Sequence, residues 1–173
     1  NAKPGTVSFS GSGRGTANHL AKAWFDKRLQ TRSAYQAHKG TAAAMAAMLQ
    51  EKVDASWAYT RAAVRSNDQT RMLAVAMLER HPKFLDVPTF KELGYNFVGG
   101  AYRGIAVPKS TPEELRLKIS NLFKEIGFDP NFEKAKLKIG FMPIDIGYEK
   151  IPEFLKTQRC KYLPLAREAG IID

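Results

Sequence analysis

Apolar and polar residues alternate in a short stretch near the start of the chain and then give way to a loop and to helical spacing. Residues 7–10 alternate between the two classes and run into a glycine-rich segment at residues 11–15. This pattern predicts a strand that enters a tight turn. Over residues 17–29 apolar side chains recur every three or four positions, which predicts a helix whose first turn Thr16 or Asn18 caps.

The same order of strand, loop and helix occurs again further along the chain. Residues 34–37 are a second strand candidate, and an Ala- and Met-rich helix follows the loop at residues 38–41. Residues 53–59 predict a third strand with a short helix near residues 60–66, and the apolar run at residues 72–77 predicts a fourth strand, buried on both faces. Such alternation favours a parallel or mixed sheet with helices on both sides.

In the second half of the chain the sequence predicts mainly helices. Thr89 is predicted to cap a short helix that Gly94 ends, and Thr111 to cap a longer one with Pro112 at its first position and Glu114 closing a capping box. Further elements are expected in this order: a helix from Asp129–Pro130 to Gly140, a strand at residues 141–146, and a final helix over residues 149–169 that Pro164 kinks.

Length and composition fit one folded domain. The chain has 173 residues, of which 44% are hydrophobic and 25% charged, and no apolar stretch approaches the ~20 residues of a membrane helix. Its single cysteine, Cys160, excludes an internal disulfide and a zinc site of paired cysteines, and is expected to pack as a small hydrophobic residue. The three histidines lack metal-ligand spacing, so the pattern predicts no metal site.

A net charge of +10 raises the question of a nucleic-acid partner. However, the basic residues are scattered along the chain, and no run of five like charges occurs. This distribution is typical of a solvated surface. We therefore expect the basic charge to serve general solubility or a small anionic ligand rather than nucleic acid.

The glycine-rich loop matches none of three enzyme motifs. A dinucleotide-binding loop would need glycine where Thr16 stands, and neither a phosphate-binding loop ending in Gly-Lys nor a Gly-x-Ser-x-Gly elbow occurs in the chain. What remains is a strand that opens into a helix, whose free N–H groups favour an anion, with the hydroxyls of Ser10 and Ser12 nearby. The alternative is a tight turn whose glycines serve only backbone geometry.

Two more loops resemble the first in construction. Lys39, Gly40 and Thr41 follow the second strand, and the third strand delivers Trp57 and Tyr59 to the corresponding edge. Because ligands of open α/β sheets bind at the carboxyl ends of the strands, we expect the three loops to meet there. For Trp57 and Tyr59 taken singly, packing in the core is the alternative.

Several motifs in collinear order resemble the solute receptors of tripartite tricarboxylate transporters, the Bug-type periplasmic binding proteins. The resemblance runs from about Lys3 to the C-terminus. Its most specific part is Asp-Val-Pro-Thr at residues 86–89 with Glu-x-Gly at residues 92–94, followed by Ala-x-Pro-x-x-Thr-Pro at residues 106–112.

This resemblance implies a receptor without catalysis or cofactor and with a type II periplasmic-binding-protein (Venus-flytrap) fold, which has a central mixed sheet and helices on both faces. Residues 3–125 would form an α/β lobe two, and residues 126–173 a helical segment that returns to lobe one in the family, whose N-terminal part this chain lacks. Two hinged lobes would close on a small carboxylate in the periplasm and present it to membrane permease subunits.

The resemblance also implies the ligand-binding residues, which lie on the three loops. Arg14 stands where the family usually has a small or apolar residue, and Ala58 and Tyr59 replace a segment that often holds Asp or Asn, so the ligand is expected to differ from the common dicarboxylates. Arg14 and Arg103 are expected to set the charge preference. The predicted site comprises Ser10, Gly11, Ser12, Gly13, Arg14, Thr16, Lys39, Gly40, Thr41, Ala58, Tyr59 and Arg103.

A second interpretation is a regulatory or scaffold α/β module that binds a protein or a polyanion through its basic surface. Because this sequence supplies only one of the two walls that would enclose the ligand, the chain is also expected to bind its small ligand weakly. The apolar face of the final helix is expected to pack partly on the other lobe or to mediate self-association. That face comprises Ile151, Phe154, Leu155, Tyr162 and Leu165.

Overall fold

The computed structural model describes residues 4–173, with Asn67 described by its backbone alone, and is built on a three-stranded sheet. The strands are β1 (Ser8–Ser12), β2 (Ala34–His38) and β3 (Ala55–Ser56), in the order β2-β1-β3. Both pairings are parallel, so of the two sheet types that the sequence pattern allowed, the described strands form the parallel one. Lys3, the predicted start of the lobe, lies outside the described residues.

Six helices accompany the sheet in the described part of the chain. Two segments of 3₁₀ helix, Asn67–Gln69 and Tyr148–Lys150, extend the helical regions that they adjoin. The helices are α1 (Ala17–Leu29), α2 (Thr41–Leu49), α3 (Thr60–Ser66), α4 (Glu113–Phe128), α5 (Pro130–Lys138) and α6 (Ile151–Glu168). None of them is both long enough and apolar enough to span a membrane.

Helices cover both faces of the sheet, as predicted. The Phe9 ring of β1 packs edge-on against Phe25 of α1, with ring centroids 6.1 Å apart. The next residue, Ser10, donates a hydrogen bond from Oγ to the carbonyl of Ala44 in α2 at 2.8 Å. Because successive strand residues point to opposite faces, α1 and α2 lie on opposite sides of β1.

An aromatic cluster extends the core away from β1. Trp57 stacks on Phe90 at 5.9 Å and lies at the same distance from Phe9. Trp24 of α1 stacks on Phe97 at 4.2 Å, and Phe97 in turn meets Phe90 edge-on. Trp57 therefore packs among the aromatic residues of the core, which was the alternative to a role at the edge of the sheet.

Two of the predicted strands are wrong, and a third is shorter than expected. β3 covers only Ala55–Ser56, because the chain turns after Trp57 to begin α3. In the run at residues 72–77 only a single bridge forms, from Val75 to Thr89, since the Val75 N–H bonds Pro88 instead of a neighbouring strand. Residues 141–146 form no strand.

The helix starts are confirmed in part. Thr89, the predicted cap, forms a reciprocal pair with Glu92, at 2.7 and 3.0 Å, but the pair closes one turn rather than a helix. Asp129 caps α5 by accepting the Phe132 N–H at 2.8 Å. Thr111 does not cap α4: its N–H bonds the Pro108 carbonyl, which keeps it in the preceding turn.

The C-terminal helix packs on the lobe that precedes it. Leu165 and Ala166 of α6 form a buried cluster with Leu20 of α1. Pro164 lies inside α6, as expected, whereas Cys160 is exposed and does not pack as a hydrophobic residue. α4 runs without interruption through residue 125, where the sequence placed a boundary, and that division remains a prediction.

The buried His81 predicts that the fold loses stability in mild acid. Its side chain is fully buried and its Nδ1 accepts the Lys83 N–H at 3.1 Å, and burial lowers the His81 pKa below the ordinary 6.5. The unfolded chain therefore binds the proton first, so the free energy of unfolding falls as pH drops below about 6.5, by at most ~1.4 kcal/mol per pH unit for this group.

Urea unfolding at pH 7.5, 6.5, 5.5 and 5.0 measures this dependence. We expect the His81→Gln variant to show a shallower decline than the native chain over this interval. Equal slopes in the two proteins would show that His81 does not carry the effect.

Candidate functional site

Three loops meet at the carboxyl edge of the sheet. Ser12, the last residue of β1, pairs with His38, the last residue of β2, and Ser56 of β3 pairs with Ser10. The chain leaves all three strands at this edge, and the loop after β1 lies between the other two. This arrangement confirms the expected convergence of the loops.

The loop after β1 is held by its own side chains. Ser12 donates from Oγ to Thr16 Oγ1 at 2.9 Å, and Thr16 Oγ1 donates to the Gly13 carbonyl at 2.8 Å. Asn18 donates from Nδ2 to Ser12 Oγ at 3.0 Å. The hydroxyls of Ser12 and Thr16 therefore position the loop, and that of the fully buried Ser10 is used by its bond to α2.

Two aromatic residues that the sequence analysis did not select support the same loop. The Tyr35 hydroxyl donates to the Ser12 carbonyl at 2.6 Å, and the His19 ring stacks on Tyr35 at 4.6 Å. His19 Nδ1 accepts the Gly15 N–H at 3.2 Å. A signal for Tyr35 was present in the sequence, because Gly11 inside a strand indicates the close approach of a neighbouring group.

The edge is electropositive. Thr16 and Gly40 occupy the N-cap positions of α1 and α2. No side chain caps the first turn of either helix, so the N–H groups of these two turns are directed at the edge. Arg14 and Lys39 are exposed there, and none of the ion pairs in the described part of the chain includes them. The pKa of His19 is lowered, mainly by burial and secondly by the positive charge of Arg14.

The remaining predicted residues divide into two groups. Thr41 begins α2, Ala58 is exposed after β3, and Tyr59 is close enough to Tyr35 to help raise its pKa, although burial contributes more. The Arg103 guanidinium lies over the Phe141 ring at 4.9 Å, and the guanidinium of Arg61, which follows the loop after β3, lies over the same ring at 5.7 Å. The selectivity role expected for Arg103 remains a prediction.

Two cavities lie elsewhere. One of about 660 Å³ separates α1 from α6, and another of about 700 Å³ lies between α3 and residues 83–88. None of the predicted site residues lines either cavity. The candidate site is thus an open edge of the sheet, and the described residues contain no cluster of three metal-ligating side chains.

The chain matches the family model described as tripartite tricarboxylate transporter family receptor over residues 1–171. Among curated proteins it is 27% identical to a UPF0065 protein of Cupriavidus necator over 172 residues, which is 98% of this chain and 52% of the relative. A UPF0065 protein of Pseudomonas is 24% identical over 95% of this chain and 50% of its own length. The chain spans about half the length of the curated relatives it matches.

The chain also resembles solved structures of solute-binding proteins. The periplasmic binding protein BugD is 26% identical, with a TM-score of 0.76 over 98% of this chain and 58% of its own. Rpa4515 of R. palustris, solved with adipate, is 18% identical and has a TM-score of 0.84 over 97% of this chain and 57% of its own. MatC of Rhodopseudomonas palustris, with bound malate, is 18% identical and has a TM-score of 0.70.

These likenesses confirm the predicted α/β fold of a periplasmic-binding-protein lobe. The matched family and the related structures are solute-binding receptors and not enzymes, in agreement with the expectation drawn from the motifs.

Because Tyr35 packs against the loop after β1, there is no room for a side chain at Gly11. A Cβ at residue 11 would overlap the Tyr35 hydroxyl and come within 2.8 Å of Tyr35 Cζ. We expect Gly11→Ala to lower the free energy of unfolding by about 1–3 kcal/mol, as overpacking does, and to break the bond from Tyr35 to Ser12. Chemical denaturation measures the loss.

Gly13→Ala is the matched control, because a Cβ there meets only the His38 carbonyl, at 3.9 Å. This variant should keep its stability or gain about 0.4–1 kcal/mol from a less flexible unfolded chain. Equal losses in the two variants would contradict the role given to Tyr35.

Proposed function

The chain belongs to the tripartite tricarboxylate transporter receptor family, and from this membership we propose that it carries one wall of an extracytoplasmic receptor for a small organic carboxylate. The proposed binding surface is the open edge where the three loops meet. The observation that supports it most directly is that both helices that begin at this edge, α1 and α2, have uncapped first turns. The proposed receptor uses no cofactor and no metal.

Binding at this edge is electrostatic and needs no reacting group. The N–H groups in the first turns of α1 and α2 provide donors for one carboxylate, and the positive ends of both helix dipoles favour its charge. Arg14 projects from the loop between them and is able to pair a carboxylate through two parallel N–H bonds. Lys39 and the Tyr59 hydroxyl supply further donors at the flanks.

The chemical class of ligand follows from the relatives as well as from the edge. Rpa4515 was solved with adipate and MatC with malate, both of them dicarboxylates. An exposed arginine beside two helix starts suits an anion with more than one acidic group. A dicarboxylate or tricarboxylate is therefore the proposed substrate class.

The wider setting of the receptor is also proposed from the family. A receptor of this kind works in the periplasm and presents its ligand to membrane permease subunits. Residues 4–125 would form the lobe that carries the binding edge, and residues 126–173 the segment that joins it to the other lobe. The exposed loops bury only part of a small ligand, so this chain alone should bind in the millimolar range, about −4 kcal/mol.

Titration of the ¹⁵N-labelled chain with adipate, malate and citrate tests the proposal, because NMR shifts report millimolar binding by residue. We expect the largest shifts at residues 13–19 and 39–43. Arg14→Ala should weaken binding about 10-fold or more, through loss of about 1.5–3 kcal/mol, while changing the free energy of unfolding by less than about 0.5 kcal/mol.

A second variant separates backbone donors from the charge of Arg14. Gly13→Val has room for its Cβ, since a Cβ at residue 13 has no contact closer than 3.9 Å, but its branched side chain would obstruct the approach to the loop amides. We expect weaker carboxylate binding with unchanged thermal stability. Shifts that avoid the three loops in the native chain would refute the proposed edge.

Dependence on salt distinguishes this function from polyanion binding by the basic surface. A single carboxylate held by N–H groups should lose little affinity between 50 and 200 mM salt, whereas a partner that contacts six or more phosphates would lose about 10³-fold or more. Titrations of citrate and of a short duplex DNA at both salt concentrations measure the two cases. Tight, steeply salt-dependent DNA binding would favour the scaffold interpretation.

A further inference from the structure

The loop after β3, residues 57–60, is the third loop of the candidate site and is anchored at both of its ends. At its start, the Trp57 N–H donates to the Ser10 carbonyl of β1 at 2.8 Å. At its end, the Thr60 hydroxyl donates to the Gly140 carbonyl at 2.5 Å, across 80 positions of the chain. Two residues lie between these anchors, and both belong to the predicted site. The second anchor therefore comes from a distant part of the chain.

This distant anchor is the turn that ends α5. The N–H groups of Gly140 and Phe141 donate to the carbonyls of Leu137 and Lys136, both at 3.0 Å, which is the pattern of a Schellman motif. Gly140 has a φ of +85°, which glycine adopts without strain. Its N–H is used within the motif, while its carbonyl accepts the bond from Thr60. The conformation of the turn is therefore set by the backbone of α5 itself.

The turn packs directly on the start of α3. A Cβ at Gly140 would lie 2.9 Å from Val64 Cγ2 and 3.1 Å from the backbone N and Cα of Arg61. The next side chain also contacts α3, because the Arg61 guanidinium lies over the Phe141 ring at 5.7 Å. Gly140 is buried in this contact. The approach of the two backbones is thus too close for any residue other than glycine at position 140.

Residues 81–83 also hold the end of α5. The Lys83 ammonium donates to the Lys138 carbonyl at 3.0 Å, a favourable place for a cation at a helix C-terminus. His81 lies close enough to the Gly140 backbone for its pKa to be affected: burial lowers the His81 pKa most, and the Gly140 backbone partly offsets this effect. Because these contacts hold the end of α5, the turn is able to act as a fixed support for the third loop.

We propose that the turn at residues 140–141 is a positioning element of the candidate site, which holds the third loop in the conformation that presents Tyr59 at the carboxyl edge of the sheet. The role in binding rests on the proposed function, whereas the anchoring of the loop rests on the contacts of this chain alone. A hydroxyl on a loop that is already ordered loses less conformational entropy when it binds a ligand. The segment after residue 125, which carries none of the predicted site residues, thereby takes part in binding.

Two variants at Thr60 test the anchor. Thr60→Val removes the donor to Gly140 and keeps the shape of the side chain, and Thr60→Ser keeps the donor. Hydrogen exchange of the Ala62 N–H, which bonds the Tyr59 carbonyl at 2.7 Å, reports opening of the third loop. We expect this exchange to be about 10-fold faster in Thr60→Val, as for the loss of one net hydrogen bond, and near the native rate in Thr60→Ser. The Ala44 N–H of α2 is the internal control and should not change.

A pair of glycines tests the packing of the turn. Gly140→Ala should separate the turn from α3, because its Cβ has no space there. Gly94→Ala is the matched control: Gly94 also has a φ of +85° in a turn with the same two backbone bonds, but a Cβ there meets nothing within 4 Å. Both variants therefore introduce similar backbone strain. We expect faster exchange at Ala62 in Gly140→Ala only.

Titration of adipate, malate and citrate into the ¹⁵N-labelled variants measures the effect on binding, at a temperature where circular dichroism shows every variant to be folded. Thr60→Val and Gly140→Ala should bind about 3-fold or more weakly than the native chain, as expected when a hydrogen bond to the ligand is impaired. Thr60→Ser and Gly94→Ala should bind as the native chain does. A purely structural role would leave the affinity of the folded protein unchanged.

Two results would overturn the proposal. One is native exchange at Ala62 in Thr60→Val, which would show that Gly140 does not hold the third loop. The other is faster exchange with native carboxylate affinity, which would show that the third loop does not serve the site. A native chain that binds none of the three carboxylates would instead refute the proposed function and with it the role in binding, while the exchange rates would still decide whether the turn anchors the loop.

Discussion

The parallel register of β1 with both of its neighbours is the constraint on which the rest of the structure depends. Ser12 beside His38, and Ser10 beside Ser56, bring three chain exits to one edge of the sheet. A one-residue slip of β1 would send Phe9 to the face of α2 and Ser10 to the face of α1. The ring contact with Phe25 and the hydrogen bond to Ala44 would both be lost, and with them the positions of α1 and α2.

The local elements of this fold follow from its sequence more closely than the contacts between them do. Periodicity placed α1 correctly, because its apolar positions, Leu20 among them, face the neighbouring core. The run at residues 72–77 is apolar without being a strand, since a strand needs a neighbour to bond and Val75 found the turn at Thr89 instead. Hydropathy predicted neither the burial of this run, in which Leu73 is 71% exposed, nor its pairing, which depends on distant partners.

The candidate site shows the same division between local pattern and tertiary contact. The glycine-rich loop and the two helix starts were visible as spacing, but the support of the loop was not. Tyr35 and His19 act through a carbonyl and a ring face that only the folded chain brings together. For the same reason the contact of Arg103, chosen for its charge, with the Phe141 ring was not visible in the sequence.

The open, polar edge belongs to a fold with a small core. Only nine hydrophobic residues of the described chain are buried, and two of these are alanines of α2. A core of this size leaves apolar surface exposed, while the polar edge loses little by facing water. The edge proposed to bind an anion can therefore stay solvated, with its loop held by Tyr35 and Asn18.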